Sequence, residues 1–211
     1  MGKRRERKRL ERETSERLED EELDKLIEFP ELPGTHLRCR RSVDAKKRYE
    51  FYRVATAAPI VTAYNGSREF WRPSEIIVAG TPFLVKRHQW AGEFPTEVID
   101  TRNDQPVIRA TGNHFNHDQS TRVFLSEGRI LTFPVLGESR WLSEMAAVDA
   151  ESKVWIRFRL QASLEESRNL TENVLILIEP DIGITTEILL TIALMAGSLD
   201  SYFKKPAGGG A

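Results

Sequence analysis

The sequence predicts a mainly β fold, a closed antiparallel barrel wrapped around one hydrophobic C-terminal helix. Two observations carry that expectation. Many short segments alternate apolar and polar residues between turn signals, and the only long apolar run in the chain, Ile188 to Gly197, comes near its end. A sheet with one wet face needs something to bury its dry face. A barrel closed around the apolar helix supplies it and removes exposed edge strands as well.

The helix is expected over 186–203. At about 100° per residue, Ile188, Leu189, Leu190, Ile192, Ala193, Leu194, Met195, Ala196, Leu199 and Phe203 spread around most of the circumference, leaving a thin polar seam of Glu187, Thr191 and Ser198. Such a helix must be surrounded. The ten apolar-run residues rise only about 15 Å, half the hydrocarbon thickness of a bilayer, so protein rather than lipid is the expected jacket and no transmembrane segment is predicted. Thr185 or Thr186 can cap the first amides, and Glu187 complements the positive end of the dipole. Lys204 and Lys205 complement the negative end; Pro206 and the glycines after it stop the helix and leave 206–211 as a flexible tail.

Among the strands, 153–161 alternates most cleanly, with Val154, Ile156, Phe158 and Leu160 on one face and Lys153, Trp155, Arg157, Arg159 and Gln161 on the other. The segments 50–64, 75–78, 83–87, 97–101, 107–111, 121–125, 129–135 and 173–179 read the same way. Turn chemistry separates them: Asn65-Gly66, Gly80-Thr81-Pro82, Asn103-Asp104-Gln105-Pro106, Glu127-Gly128, Gly137-Glu138-Ser139 and the stretch 149–152.

The tail from Thr186-Glu187-Ile188-Leu189-Leu190 to Ser198-Leu199-Asp200-Ser201-Tyr202-Phe203 resembles the end of the tubby C-terminal-like superfamily, in particular its bacterial and LURP-one-related, phospholipid scramblase-like branch. Glu97-Val98-Ile99-Asp100 before a polar turn and Val107-Ile108-Arg109, then Ala147-Val148-Asp149-Ala150-Glu151-Ser152 before a strand, are similar to the paired strands of that family. The resemblance covers roughly 36–205 and implies a barrel of about twelve strands around a buried helix, with the barrel domain placed at 30–205 here. It also implies kinship with phosphoinositide-binding tubby proteins and phospholipid scramblases. The cysteine cluster and acidic calcium segment of the scramblase branch are not matched in this chain, so lipid scrambling is not expected.

Composition sets outer bounds. With 211 residues, 40% hydrophobic and 30% charged, the chain suits one domain plus an arm. A single cysteine, Cys39, rules out an internal disulfide framework, and a charged start without an apolar stretch gives no signal peptide, so a cytoplasmic location is expected. Residues 1–29 cannot build a core. Residues 1–12 hold seven basic and two acidic side chains and 13–28 hold two basic and eight acidic, an order that opposes the helix dipole and predicts a fraying, partly helical arm. That arm reads as a solvated tail, as a contact for an anionic surface, or as a site for a protein partner.

A second basic stretch lies inside the domain. Between residues 38 and 53 stand Arg38, Arg40, Arg41, Lys46, Lys47, Arg48 and Arg53 against Asp44 and Glu50, in a chain of formal net charge −1. Arg38 and Arg40 fall on one strand face and 44–48 reads as a loop, so Arg38, Arg40, Arg41, Lys46, Lys47 and Arg48 are the candidate anion-binding residues; the other reading is an ordinary wet face. Other chemistry is thin. His114, His117 and Asp118 sit at metal-like spacing in a turn-like stretch with nothing to complete a site, and no nucleophile elbow, phosphate loop or dinucleotide motif occurs. Cys39 lies between two arginines that favour its thiolate, but a lone strand thiol is more simply an inert one. No cofactor or metal is expected, and nucleic acid is not an expected partner. The expectation is therefore a non-enzymatic module for anionic phospholipid head groups at a membrane surface; the alternative is a protein-interaction or scaffold domain using the charge-sorted arm.

Overall fold

In a computed structural model of the chain, twelve strands follow one another as a meander: β1 (Thr35–Ser42), β2 (Arg48–Arg53), β3 (Val61–Asn65), β4 (Pro73–Val78), β5 (Thr81–Arg87), β6 (Thr96–Asp100), β7 (Gln105–Thr111), β8 (Thr121–Phe124), β9 (Ile130–Phe133), β10 (Glu144–Val148), β11 (Val154–Leu160) and β12 (Val174–Ile178). One helix, α1 (Thr186–Phe203), follows them. The structure describes residues 34–42, 48–53, 56–65, 73–87, 96–111, 120–133, 144–160 and 174–203. The arm 1–29, the tail 206–211, Lys46, Lys47, Asp44, His114, His117 and Asp118 lie outside them.

Every strand pairs with its sequence neighbour, and β12 pairs with β1, so the sheet closes on itself. The parity matters. Direction reverses at each step of a meander, so the first and twelfth strands run oppositely and the closing ladder is antiparallel like all the others, with Thr35 opposite Ile178 and Leu37 opposite Ile176. Gly34 makes that closure possible: with φ at +136°, a Cβ there would lie 2.5 Å from the Ile178 carbonyl oxygen.

Alternation along the strands works as read. Leu37, Cys39, Tyr49, Phe51, Ile156 and Phe158 are inward and fully buried, and α1 adds Ile188 to Met195, eight consecutive residues enclosed on all sides. A helix buried around its whole girth leaves no solvent face, and α1 packs most closely on β4 and β3, then β7 and β2. Thr191 corrects the expected polar seam: it is fully buried, and its hydroxyl donates to the Glu187 carbonyl oxygen one turn back, 2.8 Å away. Thr185 is the cap, its hydroxyl accepting from the Ile188 amide at 3.3 Å.

Two other boundaries differ from expectation. The stretch read as one strand over 50–64 is two, β2 ending at Arg53 and β3 beginning at Val61, with the Ile60 amide donating to the Phe51 carbonyl. The turn expected at Gly80-Thr81-Pro82 sits one residue earlier. Ala79 and Gly80, at φ +47° and +83°, form the two-residue connection, and Thr81 already pairs with Val78. Because strand direction alternates, this turn and those at 101–104, 125–129, 149–153 and 179–185 gather at one rim, the rim from which α1 enters.

Candidate functional site

Barrel closure places β11, β12, β1 and β2 side by side. These four strands carry Arg38, Arg40, Arg41, Arg48, Arg53, Arg157 and Arg159 against one acidic residue, Glu50. The other eight strands balance Lys86, Arg87, Arg109 and Arg122 against Glu75, Glu97, Asp100 and Glu144. One third of the strands therefore holds all of the barrel strands' net positive charge, every cation there is arginine, and all but Arg41 and Arg53, which are in register with buried Tyr49 and Leu37, stand at outward positions. Guanidinium groups suit oxyanions because their planar donors match phosphate and carboxylate geometry and never titrate at neutral pH.

Register sets the layout. Arg159 pairs with Leu175, Leu175 with Arg38 and Arg38 with Tyr52, in one row across four strands; Arg157, Leu177 and His36 form the row beside it. Positions on β11 and β1 flank β12 about 10 Å apart, two strand spacings. Leu175 and Leu177 face outward between them, yet both are buried, which is why β12 reads as an unbroken apolar run rather than an alternating one.

Local contacts organise the β1–β2 part of the wall. The Arg38 guanidinium carbon stands 5.7 Å from the centre of the Tyr52 ring, in cation–π range. The Tyr52 hydroxyl donates to Glu50 Oε2 at 2.8 Å, and Arg48 Nε lies 3.1 Å from Glu50 Oε1. On β11, Arg157 Nε donates to Glu179 at 2.8 Å. Of the candidate residues, Arg38 and Arg48 are thus brought onto one wall, while Arg40 and Arg41 pair in the ladder with Glu50 and Tyr49. The same alternation that sends Arg38 outward buries Cys39 in the core.

Arg157 and Arg159 are the residues that reading along the chain missed. They stand more than a hundred positions from Arg38, and only closure makes them neighbours. The wet face of 153–161 was the available signal, but without the ring order it had no partner.

A second polar cluster belongs to the helix-entry rim. Glu187, on the first turn of α1, accepts from the Ser126 amide at 2.6 Å and from Arg129 at 3.1 Å, and Arg129 lies over the Trp155 ring at 5.6 Å. Trp155 Nε1 donates to Asp149, a bond that with two backbone amides holds the Asp149 carboxyl below its usual range. The cluster fastens the helix start to the β8–β9 and β10–β11 turns. Its chemistry is that of a latch. Among the described residues no group of three or more His, Cys, Asp or Glu side chains gathers to hold a metal, and no helix is long and apolar enough to cross a membrane. Comparison with protein families, with curated proteins and with solved structures returns no match.

Proposed function

We propose that this barrel is a non-enzymatic binding module for anionic phospholipid head groups at a membrane surface, acting through the wall formed by β2, β1, β12 and β11. The observation that carries the reading is the charge asymmetry, seven arginines against one glutamate on four adjacent strands, five of them (Arg38, Arg40, Arg48, Arg157 and Arg159) at the outward positions of the alternation, and balance on the remaining eight strands. The helix-entry rim supports it by exclusion. Its turns 101–104, 125–129, 149–153 and 179–185 carry six acidic residues against Arg102, Arg129 and Lys153, so that end is net negative while the wall is net positive. The resemblance to tubby-like domains points the same way, since that superfamily includes phosphoinositide binders.

Each basic side chain close to an anionic leaflet contributes about 1 kcal/mol, and the attraction decays within a Debye length of about 8 Å at physiological salt. Two quadruple variants with equal net charge separate place from total charge. Replacing Arg38, Arg40, Arg157 and Arg159 by Gln should abolish co-sedimentation with phosphatidylserine vesicles, whereas replacing Lys86, Arg87, Arg109 and Arg122 by Gln should leave most of it. Wild-type binding should fall as salt rises, and phosphatidylcholine vesicles should capture nothing. Equal loss in both variants would make the wall irrelevant. No binding by the wild type at low salt would put the protein-interaction reading ahead.

A further inference from the structure

We propose that Glu50 is a resident counter-ion of the arginine wall, a carboxylate that competes with the ligand and sets how negative a membrane must be before the barrel stays on it. This rests on the phospholipid reading above and names the residue that tunes it.

Glu50 is the one acidic residue on the four strands of the wall, and it sits within the cluster rather than at its border. Its ladder partner on β1 is Arg40. One carboxylate oxygen stands 3.1 Å from Arg48 Nε as an ion pair, and the other accepts the Tyr52 hydroxyl at 2.8 Å. The side chain is only 13% exposed. Tyr52 anchors the arrangement, because the same ring that donates to Glu50 carries the Arg38 guanidinium 5.7 Å from its centre. The phenol hydroxyl donates to the carboxylate and so holds it in place.

A phosphate or carboxylate arriving at this wall therefore meets an anion already paired with Arg48 and bonded to the tyrosine that lies under Arg38. Glu50 acts against the ligand in two ways: it cancels one positive charge of the wall, and its carboxylate repels an arriving anion. Opposite charges across adjacent strands also stabilise the sheet. A purely structural role would thus be felt in melting and not in binding, and the two are separable by experiment.

Co-sedimentation is measured over a series of phosphatidylserine fractions in phosphatidylcholine vesicles at low salt, with the full chain. Glu50→Gln should bind about fivefold tighter and reach half-saturation at a lower phosphatidylserine fraction, as expected for one charge near a lipid surface. Glu50→Asp, which keeps the charge, should stay within about twofold of wild type. If Glu50→Gln does not fold, Tyr52→Phe serves: it frees the carboxylate from its hydroxyl donor, eases displacement, and should move binding the same way by less. Wild-type binding with equal or weaker binding by a folded Glu50→Gln, or no gain in Tyr52→Phe, overturns the counter-ion role and leaves the phospholipid reading standing. Failure of wild type and variants alike to bind phosphatidylserine overturns both.

Discussion

Leu190→Ala tests whether α1 is the barrel's filling. Leu190 is fully buried in the middle of the enclosed stretch, so truncation removes three carbon atoms that water never reaches. At about 0.8 kcal/mol per buried methylene the transfer loss alone is about 2.4 kcal/mol. The barrel wall cannot follow the shrinking side chain, because each strand is hydrogen-bonded on both sides, so a cavity cost adds to it. A total of about 3–4 kcal/mol follows, within the usual range for enclosed leucines. Against a domain stability of about 5–15 kcal/mol that is a large fraction. For a chain of this size it lowers Tm by roughly 6–16 °C. Thermal unfolding followed by circular dichroism reads it directly. Thr191→Val is the companion, equally buried, but its hydroxyl serves only its own helix; its stability should change by less than about 1 kcal/mol. A Tm for Leu190→Ala within about 3 °C of wild type would refute the enclosed-helix argument, as would equal losses in both variants.

The helix latch and the Asp100 pair give two further expectations. Glu187→Ala removes the acceptor shared by the Ser126 amide and Arg129 and the anion at the positive end of α1, so a urea midpoint shift worth about 1–2 kcal/mol is expected, and an unchanged midpoint would show that the contacts contribute nothing. Asp100 accepts from the Arg102 guanidinium and backbone amide, which hold its carboxyl at about 2. A carboxyl depressed by folding contributes stability above its unfolded value near 4, and that contribution is lost as pH falls toward about 2. The wild type should therefore lose stability more steeply than Asp100→Asn between those values, and parallel acid limbs in the two proteins would contradict the pairing.

Local periodicity was enough for what depends on near neighbours. The cap, narrowed to Thr185 or Thr186, the dense apolar circumference of 188–195 and the two-residue alternation of 154–160 are set within a turn or two of backbone, so they were legible from the sequence, and the structure chose Thr185. The resemblance to tubby-like domains supplied the strand number, which alternation alone did not. Thr191 was misplaced for a related reason: helical phase locates a residue on a helix but not the wall that faces it, and here strands surround it on every side.

Closure was a matter for the tertiary structure. The sequence by itself determined that seven basic residues crowd between 38 and 53; it did not determine that the ring returns β12 to β1 and brings Arg157 and Arg159 beside Arg38. Nor did it show that Glu50 stands among those arginines with Tyr52 donating to it, or that Glu187 reaches Ser126, sixty-one residues back. Alternation is written in each segment's own chemistry, because the pleat points successive side chains to opposite faces. The composition of a wall is not, because it depends on which strand ends meet, and that is decided only when the whole barrel closes.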